Sequence, residues 1–482
     1  MINKVKSISQ QPLKQPSLAL SLTPIVVLLL SLIMIIIFRG ASAIADYSQP
    51  ALLGAAALSF VLSFLTGGLS RRGVKMGFTR SARQILPAVP MLFCIAMVAT
   101  TWMLSGVVPT LIQFGMQILN PTFFLAIACA VCAVISVLTG SSWSTIATIG
   151  VAFMGIGQVM GFSDGWIAGA IISGAYFGDK VSPLSDTTVV ASSACGVDLF
   201  AHMKYLMLTS VPAISIALLV YFVAGLFTDT TSVAQSDELI NALNGTFNLT
   251  AWTMVIPALT LILIVLRVPT LITLALSALM GFIGIFVFQS HPDVGFFDAL
   301  GLLWHGSSLS TGMAMLDDLA STGGIIGMLP TVTLVLSAMI FGTAMIGTGM
   351  IGTITGTITH RLSKRTSIVG ATVASGLFMN ACTADQYLSL IITGNMYRNV
   401  YRKFRLEPRL LSRSIEDAVS VTSVLIPWNS CGITQSTVLG VPTLIYFPFC
   451  VFNWLSPCMS VLMAWSGYKI RTAVNQTASA AK

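Results

Sequence analysis

Three acids and one base lie inside otherwise apolar stretches of this 482-residue sequence, namely Asp179, Lys180, Asp186 and Asp385. A charged side chain at the centre of a bilayer costs at least about 2.5 kcal/mol, so such residues are functional candidates by default. An ionised carboxylate binds a small cation, and protonation of the same carboxylate expels that cation. If desolvation brings the pKa of a carboxyl pair such as Asp186 and Asp385 close to neutral pH, the pair would couple cation binding to proton release.

Asp179, Lys180 and Asp186 belong to the segment Gly178-Asp-Lys-Val-Ser-Pro-Leu-Ser-Asp-Thr-Thr188. Pro183 cannot donate a backbone N–H, which predicts a break in the helix. The freed carbonyls would supply hard oxygen ligands for a small cation, together with the hydroxyls of Ser182, Ser185, Thr187 and Thr188. Helix capping by Ser185 and Asp186 is the less favoured alternative, because a cap needs no carboxylate at the midplane. Lys180 is equally well interpreted as a structural counter-ion or as a partner for a substrate carboxylate.

A second break is predicted at Pro427-Trp-Asn-Ser-Cys-Gly432. Here Asn429 and Ser430 offer neutral oxygens. The predicted structural breaks are therefore Pro183 and Pro427 with the neighbouring Gly178 and Gly432. Asp385 lies at the polar tip Thr383-Ala-Asp-Gln386, where a solvated tip acid is the alternative to a functional carboxylate. Further along, Ser414-x-x-Asp417 predicts a capping box at a cytoplasmic helix start, so Glu416 and Asp417 are interpreted as structural.

The composition excludes most classes of protein. Only 8% of the residues are charged and 55% are hydrophobic, whereas a soluble domain carries about 25% charged residues. A soluble enzyme, a nucleic-acid binder and a disordered chain are therefore excluded. The formal net charge of +8 is explained by basic loops on the cytoplasmic side of a membrane.

The apolar segments predict an all-α polytopic membrane protein with roughly ten transmembrane helices plus two re-entrant hairpins. Segments of spanning length run near 18–38, 48–68, 85–107, 205–228, 250–267, 270–289, 325–349 and 444–467. Two more, 165–203 and 415–443, are interrupted by polar residues and Pro. The hairpins are predicted at 121–161 and 366–397, with two full spans each as the alternative. The arms of the second are expected to be about 15 residues, too short for a core of roughly 30 Å.

The charges predict the orientation. When the chain is traced through these segments as successive membrane crossings, five clusters of Lys and Arg residues lie on the same side of the membrane. The positive-inside rule identifies that side as cytoplasmic. Both termini are therefore expected in the cytoplasm. Among the bases, Arg39 is expected on the opposite side and Lys180 in the membrane. Among the acids, the four expected on the cytoplasmic side are Asp198, Glu407, Glu416 and Asp417.

An internal repeat appears when the chain is shifted by 244 residues. The tip Thr139-Gly-Ser-Ser142 then falls on Thr383-Ala-Asp-Gln386, and Pro183 falls on Pro427. The two halves start on opposite sides of the membrane, as in transporters whose broken helices meet near the midplane. The predicted organisation is a cytoplasmic N-terminal tail, a first inverted repeat, an extracytoplasmic loop, a second inverted repeat and a cytoplasmic C-terminal tail, at 1–17, 18–228, 229–249, 250–467 and 468–482.

These motifs resemble the NhaC family of sodium/proton antiporters over most of the chain. Gly174 to Thr188 is similar to the family's signature, and Asp385-Gln-Tyr-Leu-Ser389, Glu416-Asp417 and Ile426 to Gly432 match its C-terminal pattern. The resemblance implies a bacterial plasma membrane location, no cofactor, and sodium (or lithium) and protons as the exchanged ions. With the first break, it predicts a sodium site at Asp186, Thr187 and Asn429. Homodimer formation is left open.

Some members of the family are similar in sequence yet exchange organic solutes. A sodium- or proton-coupled carrier of a small organic anion or amino acid is therefore the alternative function. Departures from the family pattern support keeping it open, because Thr322-Gly-Gly324 stands where the family has Arg-Gly-Gly, and no acid follows Phe341-Gly. An intramembrane enzyme is not expected, since the sequence has no His-Glu-x-x-His or Gly-x-Ser-x-Gly motif in its apolar segments.

Overall fold

The computed structural model describes residues 16–40, 43–66, 74–75, 78–79, 82, 88–227, 242–289, 295–308, 317, 321–359 and 364–468. Over these ranges the secondary structure consists of helices, without a β-sheet. Most of the bases used to predict the orientation lie outside the described residues, including both tails, Arg71, Arg72 and Arg361. Much of the predicted loop 229–249 also lies outside them.

The first half of the chain contains nine helices in the described part. They are α1 (Leu18–Arg39), α2 (Ile44–Leu65), α3 (Ala88–Leu104), α4 (Val107–Ile118), α5 (Pro121–Thr139), α6 (Ser142–Val159), α7 (Asp164–Val181), α8 (Asp186–Cys195) and α9 (Leu199–Leu226). The helix α6 contains a π-helical turn at Ile146–Gly150. The helices α3 and α4 form a pair bent by 68° at Gly106, which has a left-handed backbone with φ +80°.

The second half follows the same order. Its described helices are α10 (Ala251–Val265), α11 (Thr270–Phe288), α12 (Phe296–His305), α13 (Gly324–Gly347), α14 (Met350–Thr359), α15 (Arg365–Thr383), α16 (Gln386–Lys403), α17 (Pro408–Ile415), α18 (Ser430–Leu439), α19 (Thr443–Phe449) and α20 (Val451–Ser466). The helix α17 continues into a π-helical turn at Glu416–Ser420, which is called the Glu416 turn below.

The helices are long and apolar enough to build a multi-pass membrane protein. The described residues contain seven helices that meet the length and hydropathy of a span, or up to nine spans if each of two bent pairs counts as one. Their lipid-facing surfaces carry exposed Leu, Ile, Val and Phe side chains, as in α1 and α11. The predicted fold class, an all-α polytopic membrane protein with broken helices, is confirmed.

The helix ends repeat along the chain at the offset of 244 residues. Adding 244 to the bounds of α5 (121 and 139), α6 (142 and 159) and α8 (186 and 195) gives the bounds of α15 (365 and 383), α16 (386 and 403) and α18 (430 and 439). The same offset pairs two left-handed residues at the helix C-termini, Gly196 and Gly440, both with φ +68°. The recurrence of both bounds and backbone conformation supports two structural repeats.

The α5–α6 pair turns inside the protein beside the first break. The helices α5 and α7 run parallel, because a Cβ on Gly174 would lie 2.0 Å from the Cys129 carbonyl oxygen and one on Gly178 would lie 2.3 Å from that of Ala133. The turn after Thr139 therefore lies level with the break after Val181. Beyond that break α8 continues for ten residues, about 15 Å of helix. The tip of the α5–α6 pair therefore lies beside the first break inside the protein, which is the position expected for a re-entrant hairpin, although both helices are also long enough to span a membrane.

The arms of the second hairpin are longer than the sequence analysis expected. The helices α15 and α16 have 19 and 18 residues, so the estimate of about 15 was wrong. Polar residues such as Asn380 and Gln386 caused the underestimate, because they lower the local hydropathy. Both side chains are buried against protein and hydrogen-bonded, so they do not end the helices.

The close approach of α5 and α7 leads to a stability prediction. In Gly174→Ala the added methyl group would overlap the Cys129 carbonyl, and overpacking of this kind typically costs about 1–3 kcal/mol. We expect a lower melting temperature for the detergent-purified variant, measured by intrinsic fluorescence. The control is Gly370→Ala on α15, where a Cβ meets nothing within 4 Å. Equal melting temperatures for the two variants would contradict the parallel packing.

Candidate cation site

A cavity of about 820 Å³ lies where the two hairpin tips and the two helix breaks meet. Its wall includes the first turn of α8, the first turns of α16 and α18, and residues Thr139, Gly140, Ser141, Trp143 and Ser144 of the first tip. The opposite wall is the connection between α10 and α11, around Arg267. Three of the acids selected from the sequence line this cavity, namely Asp179, Asp186 and Asp385.

Asp179 lies at the end of α7 and its carboxylate is surrounded by hydroxyl groups. One oxygen accepts from the Ser142 hydroxyl at 2.7 Å and from the Ser142 backbone N–H at 3.2 Å. The other accepts from the Ser185 hydroxyl at 2.5 Å, and Ser185 in turn contacts the Thr187 hydroxyl at 2.9 Å. Asp179 is only 9% exposed. The carboxylate therefore joins the first hairpin tip to the first break.

Asp186 and Asp385 have different surroundings within the same cavity. Asp186 is the first residue of α8 and is exposed. Asp385 is 2% exposed and is the N-cap of α16, where its carboxylate accepts from the Leu388 backbone N–H at 2.7 Å. The alternative of a solvated acid at the second tip is therefore wrong, because the tip is buried against the second break.

The remaining oxygen residues selected from the sequence divide into two groups. Thr187 and Ser430 line the cavity. Thr188 instead donates to the Lys180 carbonyl at 3.0 Å, which bridges the first break. Asn429 is the N-cap of α18; its side-chain oxygen accepts from the Cys431 N–H at 3.1 Å, and its amide donates to the Asn380 carbonyl at 3.1 Å. Asn429 thus holds the second break on the second hairpin.

Both helix breaks occur where the sequence predicts them. Pro183 lies between α7 and α8, and Pro427 lies between the Glu416 turn and α18. The two glycines give close backbone approaches, because a Cβ on Gly178 would overlap α5 and one on Gly432 would lie 2.1 Å from the Ile426 carbonyl oxygen. The second break contacts its own hairpin tip through the Ser430 N–H and the Ala384 carbonyl, 2.9 Å apart.

Lys180 forms a buried ion pair with Asp417. Its ammonium group also donates to the Ser456 hydroxyl at 2.8 Å. Asp417 accepts further from Thr209 and Ser456, each at 3.0 Å, and the guanidinium Nε of Arg413 lies 3.8 Å from its second oxygen. All three charged residues are at most 1% exposed. Lys180 is therefore a structural counter-ion in this structure.

The capping box predicted at Ser414 and Asp417 is wrong. The Ser414 hydroxyl donates to the Leu410 carbonyl, and Glu416 and Asp417 are both fully buried. Arg413 is also fully buried, so Lys180 is not the sole base inside the protein. The sequence analysis assigned these residues to the cytoplasmic side because charges usually face water. The spacing of four residues between Arg413 and Asp417 was a signal of internal pairing.

The sequence analysis also missed residues beside the selected acids. Tyr387 lines the cavity and interacts electrostatically with Asp179, Asp186 and Asp385. Gln386 accepts at its side-chain oxygen from the Cys431 thiol at 2.7 Å. Both follow directly after Asp385 in a stretch already selected for its resemblance, so their position next to a tip acid was the available signal.

A second cavity of about 600 Å³ lies at the other end of α18. It is lined by Thr437 to Gly440 from α18 and by the C-terminal part of α6, whereas the first cavity contains Ser430 and Ser144 from the first turns of the same helices. Two cavities thus flank the region of the breaks from opposite ends of α6 and α18. This arrangement fits a site that opens to one side at a time.

A multi-pass helical protein with repeated broken helices and buried carboxylates at their breaks is a secondary transporter. The model of the Na+/H+ antiporter family matches residues 2–205 and 174–468. The chain belongs to this family of Na+/H+ antiporters, which are transporters and not enzymes and which need no cofactor.

Three relatives illustrate the range of the family. The chain is 36% identical over 373 residues to the Na(+)/H(+) antiporter NhaC of Alkalihalophilus pseudofirmus, covering 77% of this chain and 80% of the relative. It is 31% identical over 430 residues to the malate-2H(+)/Na(+)-lactate antiporter of Bacillus subtilis, with 88% and 91% covered. It is 32% identical over 467 residues to the arginine/ornithine antiporter ArcD of Halobacterium salinarum, with 95% and 94% covered.

The buried ion pair leads to a prediction about the order of stabilities. Asp417→Asn leaves both Lys180 and Arg413 without an ionised partner, and breaking a buried pair costs about 3–5 kcal/mol. Lys180→Met should cost less, because Arg413 still faces Asp417. We expect the melting temperature to fall more for Asp417→Asn than for Lys180→Met. The control Lys204→Met, at an exposed position, should melt like the wild type. The reverse order of the first two variants would contradict the arrangement.

Proposed function

We propose that this transporter exchanges one class of small cation, sodium (or lithium), for protons, and that Asp179 holds the cation. The observation that carries the proposal is the Asp179 carboxylate, which lies at the cavity wall with the Ser142 and Ser185 hydroxyls at 2.7 and 2.5 Å. A hydroxyl that now donates to the carboxylate can rotate and present its lone pairs to a cation. Three hard oxygen groups then surround one small volume.

The proposed sodium ligands, Asp179 with the Ser142 and Ser185 hydroxyls, differ from the set expected from the sequence. That set was Asp186, Thr187 and Asn429. Both ends of the Asn429 amide are engaged in the second break, whereas Ser142 already contacts Asp179. In our proposal Asp186, exposed in the cavity, attracts cations toward Asp179, and Asp385 positions the second tip as a helix cap.

The location of the cavity suggests which side of the membrane it faces. It is lined by Val189 and Val190 of α8 and by Arg267, all on the side that the basic loops mark as cytoplasmic. We therefore propose a bacterial plasma membrane protein with cytoplasmic termini, seen with its cation site open to the cytoplasm. The two repeats, 18–228 and 250–467, would rock or slide relative to each other to expose the second cavity instead.

The proposal is tested by purified protein in liposomes that contain a pH dye. Asp179→Asn removes the charge that holds the cation, so sodium-driven proton movement should fall at least tenfold, equivalent to about 1.4 kcal/mol of lost binding. The control is Asp198→Asn, because Asp198 caps α9 through the Ala201 N–H and Asn caps equally well. Normal transport by Asp179→Asn would overturn the assignment of the cation to Asp179.

The same liposomes separate the proposed exchange from exchange of organic solutes. Sodium or lithium alone should move the dye, and malate, lactate, arginine or ornithine should not be required. Asp186→Asn is expected to raise the sodium concentration needed for half-maximal exchange, because it removes a charge at the cavity surface and leaves Asp179 intact. Full coupled transport by Asp186→Asn at low sodium would contradict a role for Asp186.

The proposed orientation is tested by labelling single cysteines with a membrane-impermeant maleimide in a Cys458→Ala background, since Cys458 is exposed. Val189→Cys lies in the first cavity and should react when the reagent is applied to the cytoplasmic face. Val438→Cys, a matched substitution in the second cavity, should react only from the opposite face. Reaction of Val189→Cys from the outer face would reverse the orientation.

A further inference from the structure

We propose that Glu416 carries the proton that is exchanged, and that a sodium ion at Asp179 and a proton on Glu416 exclude each other through charge. The inference rests on the sodium/proton exchange proposed above. It separates the two ions onto two residues that lie in different repeats, rather than having them compete for one carboxylate.

The first argument is the burial of Glu416. The residue is 0% exposed, and its carboxylate makes no hydrogen bond of normal geometry among the described residues, although the hydroxyls of Ser420 and Thr187 lie beside it. Asp417, its neighbour in the Glu416 turn, is equally buried but contacts Lys180, Thr209 and Ser456. An ionised carboxylate without donors is strongly disfavoured in an apolar interior. Glu416 is therefore neutral, and holds a proton, in the conformation described here.

The second argument is the balance of charge around the first break. Lys180 and Arg413 bring two positive charges, and Asp417 and Asp179 bring two negative charges. This buried group is neutral while Glu416 is protonated. A sodium ion at Asp179 adds one positive charge, and ionisation of Glu416 restores neutrality. Glu416–COOH and a free sodium ion thus become Glu416–COO⁻, bound sodium and a released proton.

The third argument is the electrostatic contact between the two residues. The helix α7, which carries Asp179 and Lys180, packs against the Glu416 turn, although Glu416 makes no hydrogen bond to Asp179, Ser142 or Ser185. The helix α8 packs against the Glu416 turn and also lines the cavity. A charge placed at Asp179 is therefore felt at Glu416 through a low-dielectric region, where Coulomb interactions are strong.

The other helices packed against the Glu416 turn contribute few charges. The helix α8 brings Asp186 at its first residue and Cys195 at its last. The helix α20 has no charged residue, and α15 has only Arg365 in its first turn. The bases of α16 lie at its far end, at Arg398, Arg402 and Lys403. The helix α17 brings Arg413, which is already part of the charge balance together with Asp417 of the turn itself, and Arg409, which pairs with Glu407.

The two cavity acids are weaker candidates for the proton. Asp186 is exposed, so water solvates its charge, and Asp385 accepts a hydrogen bond from the first turn of α16. Glu416 differs from both because it is completely buried and makes no hydrogen bond of normal geometry among the described residues.

The inference is tested by Glu416→Gln in liposomes with two readouts, dye-reported proton movement and exchange of radioactive sodium between the two sides. Gln reproduces the protonated form permanently. We expect loss of sodium-driven proton movement, while sodium–sodium exchange persists with a half-saturating concentration raised about tenfold, since the added positive charge is no longer offset. The matched control is Glu407→Gln, because Glu407 pairs with Arg409 away from the cavity, and it should behave as the wild type.

The outcomes separate this inference from the function on which it rests. Proton movement in Glu416→Gln at the wild-type ratio to sodium would overturn the inference alone. Absence of sodium-driven proton movement in the wild type would overturn the proposed function as well. If Glu416→Gln does not fold, Glu416→Asp decides: a displaced pH midpoint of exchange supports the inference, and an unchanged midpoint overturns it.

Discussion

The ion pair between Lys180 and Asp417 is the interaction on which the arrangement of the site depends. Lys180 is the penultimate residue of α7, next to the first break, and Asp417 lies in the π-helical turn of the second repeat. The pair therefore connects the two repeats at the level of the cation site. Because the ammonium group is held by Asp417 and Ser456, it is not free to neutralise the adjacent Asp179, whose carboxylate stays available at the cavity wall.

The π-helical turn has a clear consequence for the charges. A π-turn inserts one extra residue into the helical ladder, and such turns occur frequently at functional sites. Here the turn covers Glu416 to Ser420, so that Glu416 and Asp417 are both buried although they are adjacent in sequence. Asp417 pairs with Lys180, whereas Glu416 makes no ion pair and no hydrogen bond of normal geometry among the described residues. The π-helical turn thus places a carboxylate that has a charged partner, Asp417, next to one that forms no ion pair in the described residues, Glu416.

The sequence was sufficient to predict the membrane spans, both helix breaks and three of the acids at the site. Hydropathy and proline placement predicted the spans and both breaks, because an apolar solvent leaves the backbone few alternatives. They also selected Asp179, Asp186 and Asp385, which share one cavity. The buried charges at Arg413, Glu416 and Asp417 were assigned to the cytoplasmic surface instead. The four-residue spacing of Arg413 and Asp417 is a local signal, but Asp417 also pairs with Lys180, more than 230 positions away, and no local pattern encodes that contact.

The two breaks are similar in backbone but differ in charge. At the offset of 244 residues, Asp179 corresponds to Ser423 and Asp186 to Ser430, while Asp385 corresponds to Ser141. Each acid thus corresponds, at this offset, to a hydroxyl residue in the other repeat. Hydroxyl residues, hairpin tips and broken helices occur in both repeats, but only the first break carries acidic residues at these positions.

The same comparison places Ile172 opposite Glu416 and Ser173 opposite Asp417. The buried acids of the second repeat therefore have no ionisable counterparts in the first. If charge decides where a cation binds, the first break is the cation site, and the second repeat is left to supply the carboxylates that respond to it. The two repeats thus share helix bounds and backbone conformation but differ in the charges they carry.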